Sequence, residues 1–555
     1  MLIINGDDIL LVPKLFTCIK NYNKQQFLKD LSSGIIVAII ALPLSIALAI
    51  ASGVSPEKGL YTAIIGGFIV SFLGGSKVQI GGPTGAFVII VYGIIEKYGL
   101  DGLIISTIMA GLFLTIMGFL KLGSLIRFIP ASITSGFTSG IAVVIFSTQI
   151  KDFLGLSIKS VPSEFIHKWG AYFKNLNTFN PQSLLISLLT LGCIIFWPKI
   201  NKKIPSAFLA IILTTVITLT FNLDTPTIGS VFGNLSSSLP SLSIPSVNLS
   251  TILNLVFPAL TIAILAAVES LLSAVVADNM IDGRHRSNME LVAQGFANIF
   301  SGLFGGIPVT GAIARTAANI KNGGRTPVAG MVHSVILLLI MFLFMPYVKL
   351  IPMASLAAIL VMVSYNMGEW DAFKNLLKAP KSDSLIFIVT FLLTVFFDLV
   401  FAIGVGVVLS SLLFMRKMAE FTSVKSIIDD IDSVDLLEIK NTLKYPEDVA
   451  MYEINGPFFF GATDKFISAI RDISSMPKIL IIKMDKVPIM DSTAYHSFEM
   501  LLDICTKENT KLLLLNVQPQ PLNTLKKYGF VDKIGNKNVC VSLNDVINQS
   551  NYHTA

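Results

Sequence analysis

Between residues 31 and 415 the chain is a succession of about fourteen apolar runs, the first at 31–53, the third at 83–95, the eighth at 252–277, the tenth at 308–320 and the last at 399–415. No other feature restricts the fold as much. Hydrocarbon offers the backbone no hydrogen-bond partners, so a chain that enters it repeatedly must do so as helices or a closed barrel. Several of these runs fall short of the roughly 20 residues a straight helix needs to cross a bilayer, and Gly or Pro interrupts them. Short, broken helices in a bundle are the architecture of secondary transporters. The composition fits: 53% of residues are hydrophobic and 14% charged, against about 25% charged in soluble proteins. Charge gathers after Lys417. Residues 31–417 therefore read as the membrane body, 1–30 as a cytoplasmic N-terminal segment, 418–445 as a linker and 446–555 as a water-soluble α/β domain.

Basic residues set the orientation, because Lys and Arg in short loops mark the cytoplasmic side. They recur at every second turn: Lys77, Lys121 with Arg127, Lys199 with Lys202 and Lys203, Arg284 with Arg286, Lys321 with Arg325, Lys374 with Lys378 and Lys381, and Arg416 with Lys417. The loop from Asn222 to Asn254 holds neither Lys nor Arg; Lys151 to Pro181 is the exception, and long loops obey the rule weakly. Both termini are expected inside. The net charge of +6 belongs to this body and reflects topology, not nucleic-acid binding. Cys18, Cys193, Cys505 and Cys540 show neither disulfide nor metal-site spacing, and the N-terminus lacks the pattern of a removable signal peptide. No P-loop or catalytic-triad signature is present, so no enzyme, metal or cofactor is expected.

An internal repeat is visible. Gly81-Gly82-Pro83-Thr84-Gly85-Ala86 opens the third run, and Gly305-Gly306-Ile307-Pro308-Val309-Thr310-Gly311-Ala312 opens the tenth, an offset of about 225 residues. That offset implies two seven-span halves, the second inverted relative to the first. Pro near a first turn and Gly pairs before it allow a helix to begin abruptly inside the membrane. Two such half-helices would direct unpaired N–H groups and dipole ends at one midplane point, which binds anions. The donors would be the Thr84 hydroxyl and the amides of Gly85, Ala86, Gly311 and Ala312. The alternative is that these glycines only permit close helix packing.

Glu269 is the one acidic residue in the middle of the apolar stretch from Pro258 to Ala277. At that depth an ionisable group is functional by default. It could take up a proton, or with Ser273 one turn on it could offer oxygen ligands to sodium; otherwise it is structural, capping backbone or paired with Arg315. Arg315 could add to the anion field, balance Glu269 in the empty protein, or snorkel to the cytoplasm. Arg284, His285 and Arg286 read as topology signals, and His333 as a satisfied packing residue rather than a proton relay.

At these residues the sequence resembles the sulfate permease (SulP) family over nearly its whole length. The resemblance is carried by Ala41-Leu42-Pro43-Leu44-Ser45-Ile46-Ala47, by Gly81-Gly82-Pro83-Thr84-Gly85, by Glu269-Ser270-Leu271-Leu272-Ser273 with Val276-Ala277-Asp278, and by Gly311-Ala312-Ile313-Ala314-Arg315-Thr316. It implies a polytopic α-helical membrane protein of fourteen spans in two inverted repeats, divided into core and gate and moving by an elevator-like displacement. The cargo it implies is sulfate, bicarbonate, chloride or a C4-dicarboxylate. It also places Pro43, Leu44, Ala314 and Arg315 beside the anion. Leu44 stands where several members have Gln and Ala314 where many have Ser, which leaves binding more dependent on backbone amides and Arg315. Sodium-coupled bicarbonate carriers of the family have Asp at the position of Glu269, so Glu here favours protons.

In the tail, Met451 to Ile454, Lys478 to Val487 and Lys511 to Val517 read as strands and Ser492 to Thr506 as a helix. With Gly456-Pro457-Phe458-Phe459-Phe460 and Asp491-Ser492-Thr493-Ala494 this part resembles the STAS domain (sulfate transporter and anti-sigma factor antagonist). In regulatory relatives a Ser of that loop is phosphorylated; here Asp491 to Thr493 read as a helix cap. The expected whole is a proton-coupled, inner-membrane carrier of a small anion that assembles as a homodimer through both parts. Sodium coupling to bicarbonate, or uncoupled exchange or channel activity, is the alternative.

Overall fold

The computed structural model describes residues 11–20, 22–124, 130–158, 161–162, 164–201, 204–233, 235–238, 240–242, 245, 248–376, 378–397, 399–426, 449–471 and 476–551. Arg127, Lys202, Lys203, the first ten residues and most of the expected linker lie outside them. The chain forms two compact units, Met1–Val407 and Val408–Ala555.

The first unit is helical. α1 (Lys14–Ile19) leads into α2 (Lys24–Ala51), whose start is fixed by the Asn23 side chain accepting from the Gln26 amide at 2.8 Å. α3 (Pro56–Tyr61) continues through a π-helical turn, Thr62–Gly66, into α4 (Gly67–Leu73). Strand β1 is only Gly81–Gly82. α5 (Phe87–Phe119) is broken at Gly99, whose φ of 69° and ψ of −171° separate the third and fourth apolar runs. There follow α6 (Ala131–Leu154), α7 (Phe165–Lys174), α8 (Pro181–Ile200), α9 (Ser206–Thr220), α10 (Ile228–Phe232), α11 (Leu249–Ile281), α12 (Ser287–Leu303), β2 (Thr310–Gly311), α13 (Ile313–Lys321), α14 (Val328–Val348), α15 (Met353–Met367), α16 (Trp370–Asn375), α17 (Lys381–Phe396) and α18 (Leu399–Phe421). Among the described helices 7 are long and apolar enough to cross a bilayer. Others, such as α4, α9 and α13, are much shorter, as the clipped apolar runs require.

Helix packing follows the logic of lipid, where small residues rather than water exclusion bring helices together. α5 and α12 cross where Gly111 meets Gly295 and where Gly118 meets Val292; a Cβ on any of these glycines would overlap the facing helix. Large apolar side chains point outward instead, among them Leu188, Leu213, Leu339 and Leu343. The two repeated motifs meet directly. β1 and β2 pair antiparallel, Gly81 opposite Gly311 and Gly82 opposite Thr310, so equivalent segments of the two halves run in opposite directions.

The second unit holds a five-stranded sheet: β3 (Ser423–Ser426), β4 (Val449–Asn455), β5 (Ile479–Lys483), β6 (Lys511–Leu515) and β7 (Val539–Cys540), in that spatial order. β3 is antiparallel to β4 and the other pairings are parallel. Ile479, Leu480, Ile481 and Ile482 are all buried, the unbroken apolar pattern of a strand covered on both faces. Helices α19 (Thr463–Arg471), α20 (Ser492–Lys507), α21 (Pro519–Lys527), α22 (Phe530–Ile534) and α23 (Leu543–Asn551) complete the layers. Phe458, Phe466, Phe498 and Phe530 form the heart of the core. The second and third expected strands end earlier than the sequence pattern, because the chain turns at Met484, whose carbonyl accepts from Val487, and at Asn516 with φ of 54°.

Asp491 caps α20: its carboxylate accepts from the amides of Ala494 at 2.8 Å and Phe460 at 3.1 Å, while Ser492 and Thr493 are exposed. Asp491→Ala is expected to cost about 1 kcal/mol, the usual value of a lost cap. Faster amide exchange at Ala494 and Phe460 in the full-length protein checks this; unchanged exchange at both would refute it.

Candidate functional site

The extended segments 75–82 and 305–312 lie buried, so their backbone polar groups need partners from side chains. Those partners are present. Thr316 Oγ1 accepts from the Ile80 amide at 3.1 Å, Asn319 Nδ2 donates to Val78 O at 2.8 Å, and Thr62 Oγ1 accepts from the Ile307 amide at 2.7 Å. Asn298 clamps Val309 through both its carbonyl oxygen and its amine, at 3.0 and 2.8 Å, and the Thr310 hydroxyl donates to Ala266 O at 2.9 Å. A second set holds the beginning of the first segment. Fully buried Glu290 accepts from the amides of Gly75 and Ser76, at 2.8 and 3.1 Å, from the Ser270 hydroxyl at 3.1 Å and from Gln294 Nε2 at 2.9 Å. Gln79 Nε2 in turn donates to Ser270 Oγ at 2.9 Å and to Ser270 O at 3.1 Å.

With the ribbon thus satisfied, the donors left over stand out. Among the described residues the amides of Gly85 and Ala86, at the mouth of α5, have no acceptor, although both residues are buried. At the mouth of α13 the amides of Ile313 and Ala314 likewise have none, and both residues are exposed. Two half-helix N-termini with free N–H groups, on either side of one antiparallel ribbon, form an electropositive point. Arg315 adds to it. Its Nη2 donates to Pro83 O at 2.8 Å, and its buried Nη1 has no partner.

One acidic group stands beside these donors. Glu269 Oε2 accepts the Thr84 hydroxyl at 2.7 Å, which joins the eighth apolar run to the third. Arg315 therefore neither pairs with Glu269 nor snorkels: it is 3% exposed and bonded to the motif itself. The Ala312 amide, expected to be an anion donor, is spent on Ile80 O at 2.9 Å, because the ribbon continues one residue beyond β2. Gly311 is held inside the ribbon, opposite Gly81. Ser273 is not drawn to Glu269; its hydroxyl faces Thr316 Oγ1 at 3.4 Å. Pro43 is buried midway along α2 and Leu44 is half-buried; Pro43 lacks an N–H, so the Ile39 carbonyl has no helical donor there. His333 is fully buried with neither ring nitrogen bonded, so it is not a satisfied packing residue. Arg286, expected only to mark topology, is buried and donates to Val12 O at 2.8 Å, and His285 bonds Asp278 at 2.7 Å.

Gln79, Glu290, Gln294 and Asn298 were not expected as site residues. Their signal is spacing: Glu290, Gln294 and Asn298 recur every four residues and make a buried polar stripe on α12.

Residues 27–390 match the profile of the sulfate permease family, and residues 441–546 that of the STAS domain. YvdB of Bacillus subtilis, provisionally named a sulfate transporter, is 44% identical over 520 residues, 93% of this chain and 96% of its own. The bicarbonate transporter BicA of Picosynechococcus is 31% identical over 516 residues, 90% of each chain. The structure of the murine anion transporter Slc26a9 superposes with a TM-score of 0.86 at 20% identity, over 98% of this chain and 94% of that one, a likeness of fold.

Proposed function

The chain belongs to the sulfate permease family, and from that premise we propose that it is a secondary transporter that drives a small anion, of the sulfate kind or a C4-dicarboxylate, across the cell membrane together with a proton. The anion sits between the mouths of α5 and α13, held by the free amides of Gly85, Ala86, Ile313 and Ala314 and by Arg315. The observation that carries the coupling is the 2.7 Å bond from the Thr84 hydroxyl to Glu269. While Glu269 is ionised, its charge repels an incoming anion and its oxygen occupies a donor that the anion needs. A proton removes that charge and frees the hydroxyl, so anion and proton enter together and leave together. The core carrying the ribbon then moves against the gate helices as an elevator, in a homodimer with both termini in the cytoplasm.

A second reading rests on the 31% identity to a bicarbonate transporter: Glu269 and Ser273 hold sodium and the cargo is bicarbonate. The engagement of Ser273 with Thr316 weighs against it. Uncoupled exchange is the third outcome of the same test. The experiment is uptake of radiolabelled sulfate, bicarbonate and succinate into proteoliposomes under an inward proton gradient, an inward sodium gradient or neither. Accumulation driven by protons alone, of sulfate or succinate, is the expected result. Sodium-driven bicarbonate uptake supports the second reading, and flux indifferent to both gradients refutes coupling altogether.

A further inference from the structure

A cavity of about 240 Å³ opens between the C-terminal turns of α2 and α6 and the first turns of α5. Ile50, Ala51 and Val88 line it together with Gln149, Lys151 and Asp152 near the end of α6. Val88 is one helical turn from Gly85, whose carbonyl accepts its amide at 3.1 Å, so this cavity adjoins the free amides of the candidate anion site. Tyr92 donates to Val161 O at 2.9 Å and fastens the neighbouring loop at its rim.

Lys168 reaches into this cavity from α7. It is only 5% exposed, and among the described residues it has no ion pair and no acceptor for its ammonium. Lys151, half-buried and also lining the cavity, has none either. Burying an ammonium without a counter-charge is costly. Among the described residues Asp152 is the one carboxylate lining the cavity, so there two cations face one anion and the lining is short of a negative charge. Burial lowers the Lys168 ammonium to about 8, opposed in part by Glu96, and it stays charged at neutral pH. A water in bulk takes about 30 Å³, so the cavity has room for an oxyanion with part of its hydration shell. A pocket lined with an excess of one charge concentrates the opposite ion.

We infer that this cavity is a second anion-binding site, in which Lys168 and Lys151 hold a small oxyanion, with Gln149 as a neutral donor, on the path to or from the amides of α5. The inference rests on the reading of the chain as an anion transporter, and its test separates the two. In the full-length protein in nanodiscs, acetylation of Lys168 by an amine reagent, followed by mass spectrometry, is expected to slow about tenfold in sodium sulfate or sodium bicarbonate relative to sodium gluconate at equal ionic strength, the weight of one charge-assisted contact. Equal rates in all three salts overturn the site. Protection of Lys168 in a protein that accumulates no anion upholds the site and sinks the transport reading. In proteoliposomes, Lys168→Gln is expected to raise the half-saturating sulfate concentration about tenfold for anion supplied from the cavity side only, with Lys168→Arg restoring it. Half-saturation unchanged in Lys168→Gln overturns its place on the path.

Discussion

Glu269→Gln is expected to abolish concentrative uptake while leaving anion binding intact. The substitution is isosteric and uncharged, so the glutamine stands in for protonated Glu269, the form that yields the Thr84 hydroxyl now held at 2.7 Å to the anion. What is lost is the ability to carry a charge that a proton can cancel. In the wild type a proton gradient of one pH unit can sustain about a tenfold accumulation ratio, the equivalent of 1.4 kcal/mol. In the variant that ratio should fall to unity at any imposed gradient, because the anion binds to a permanently neutral site and no proton travels with it. Anion binding measured by equilibrium dialysis should persist and lose its dependence on pH between the acid and neutral range. A variant that concentrates sulfate as the wild type does would remove Glu269 from the coupling step.

Much of this site is legible in the sequence because lipid enforces it. A glutamate in the middle of an apolar run, and Gly-Gly-Pro before an abrupt helix start, are each costly in hydrocarbon, so they advertise themselves one residue at a time. The partnerships are a different matter. Nothing local says that Glu269 bonds Thr84 rather than Arg315, since those residues are separated by long stretches of chain and only the inverted packing of the halves brings the third run to the eighth. Ala312 shows the same limit. Its place at the end of a Gly-rich motif promises a free amide, yet the antiparallel register of Gly81 with Gly311 carries the ribbon one residue further and uses it. Glu290 was hidden for another reason: it stands at the very edge of an apolar run, where a carboxylate ordinarily meets water, and only its fourfold spacing with Gln294 and Asn298 marks the stripe that fastens the ribbon. In the soluble unit the apolar strand 479–483 is plain, whereas its end depends on a turn set by Met484 and Val487.

Gly311→Ala should damage transport through a single methyl that never touches the anion. A Cβ at this position would overlap the side-chain amide of Gln79, a buried group whose amine has two acceptors on Ser270. Moving Gln79 releases the Ser270 hydroxyl, which Glu290 accepts at 3.1 Å while it also holds the amides of Gly75 and Ser76. The methyl therefore loosens the strand that leads to Thr84 and the free amides of α5, although it touches no anion. Leaving one such buried group without its partner costs about 2–3 kcal/mol, which falls on the bound state as roughly a hundredfold loss of anion affinity. Gly192→Ala is the matched control, because a Cβ there meets nothing within 4 Å; its uptake should equal that of the wild type. The decisive comparison is Gln79→Ala alone against Gln79→Ala with Gly311→Ala. If the damage runs through this overlap, removing the amide first makes the added methyl harmless and the two variants transport equally, a coupling expected of residues in contact. Fully additive losses would mean that the methyl does its damage at some contact other than Gln79.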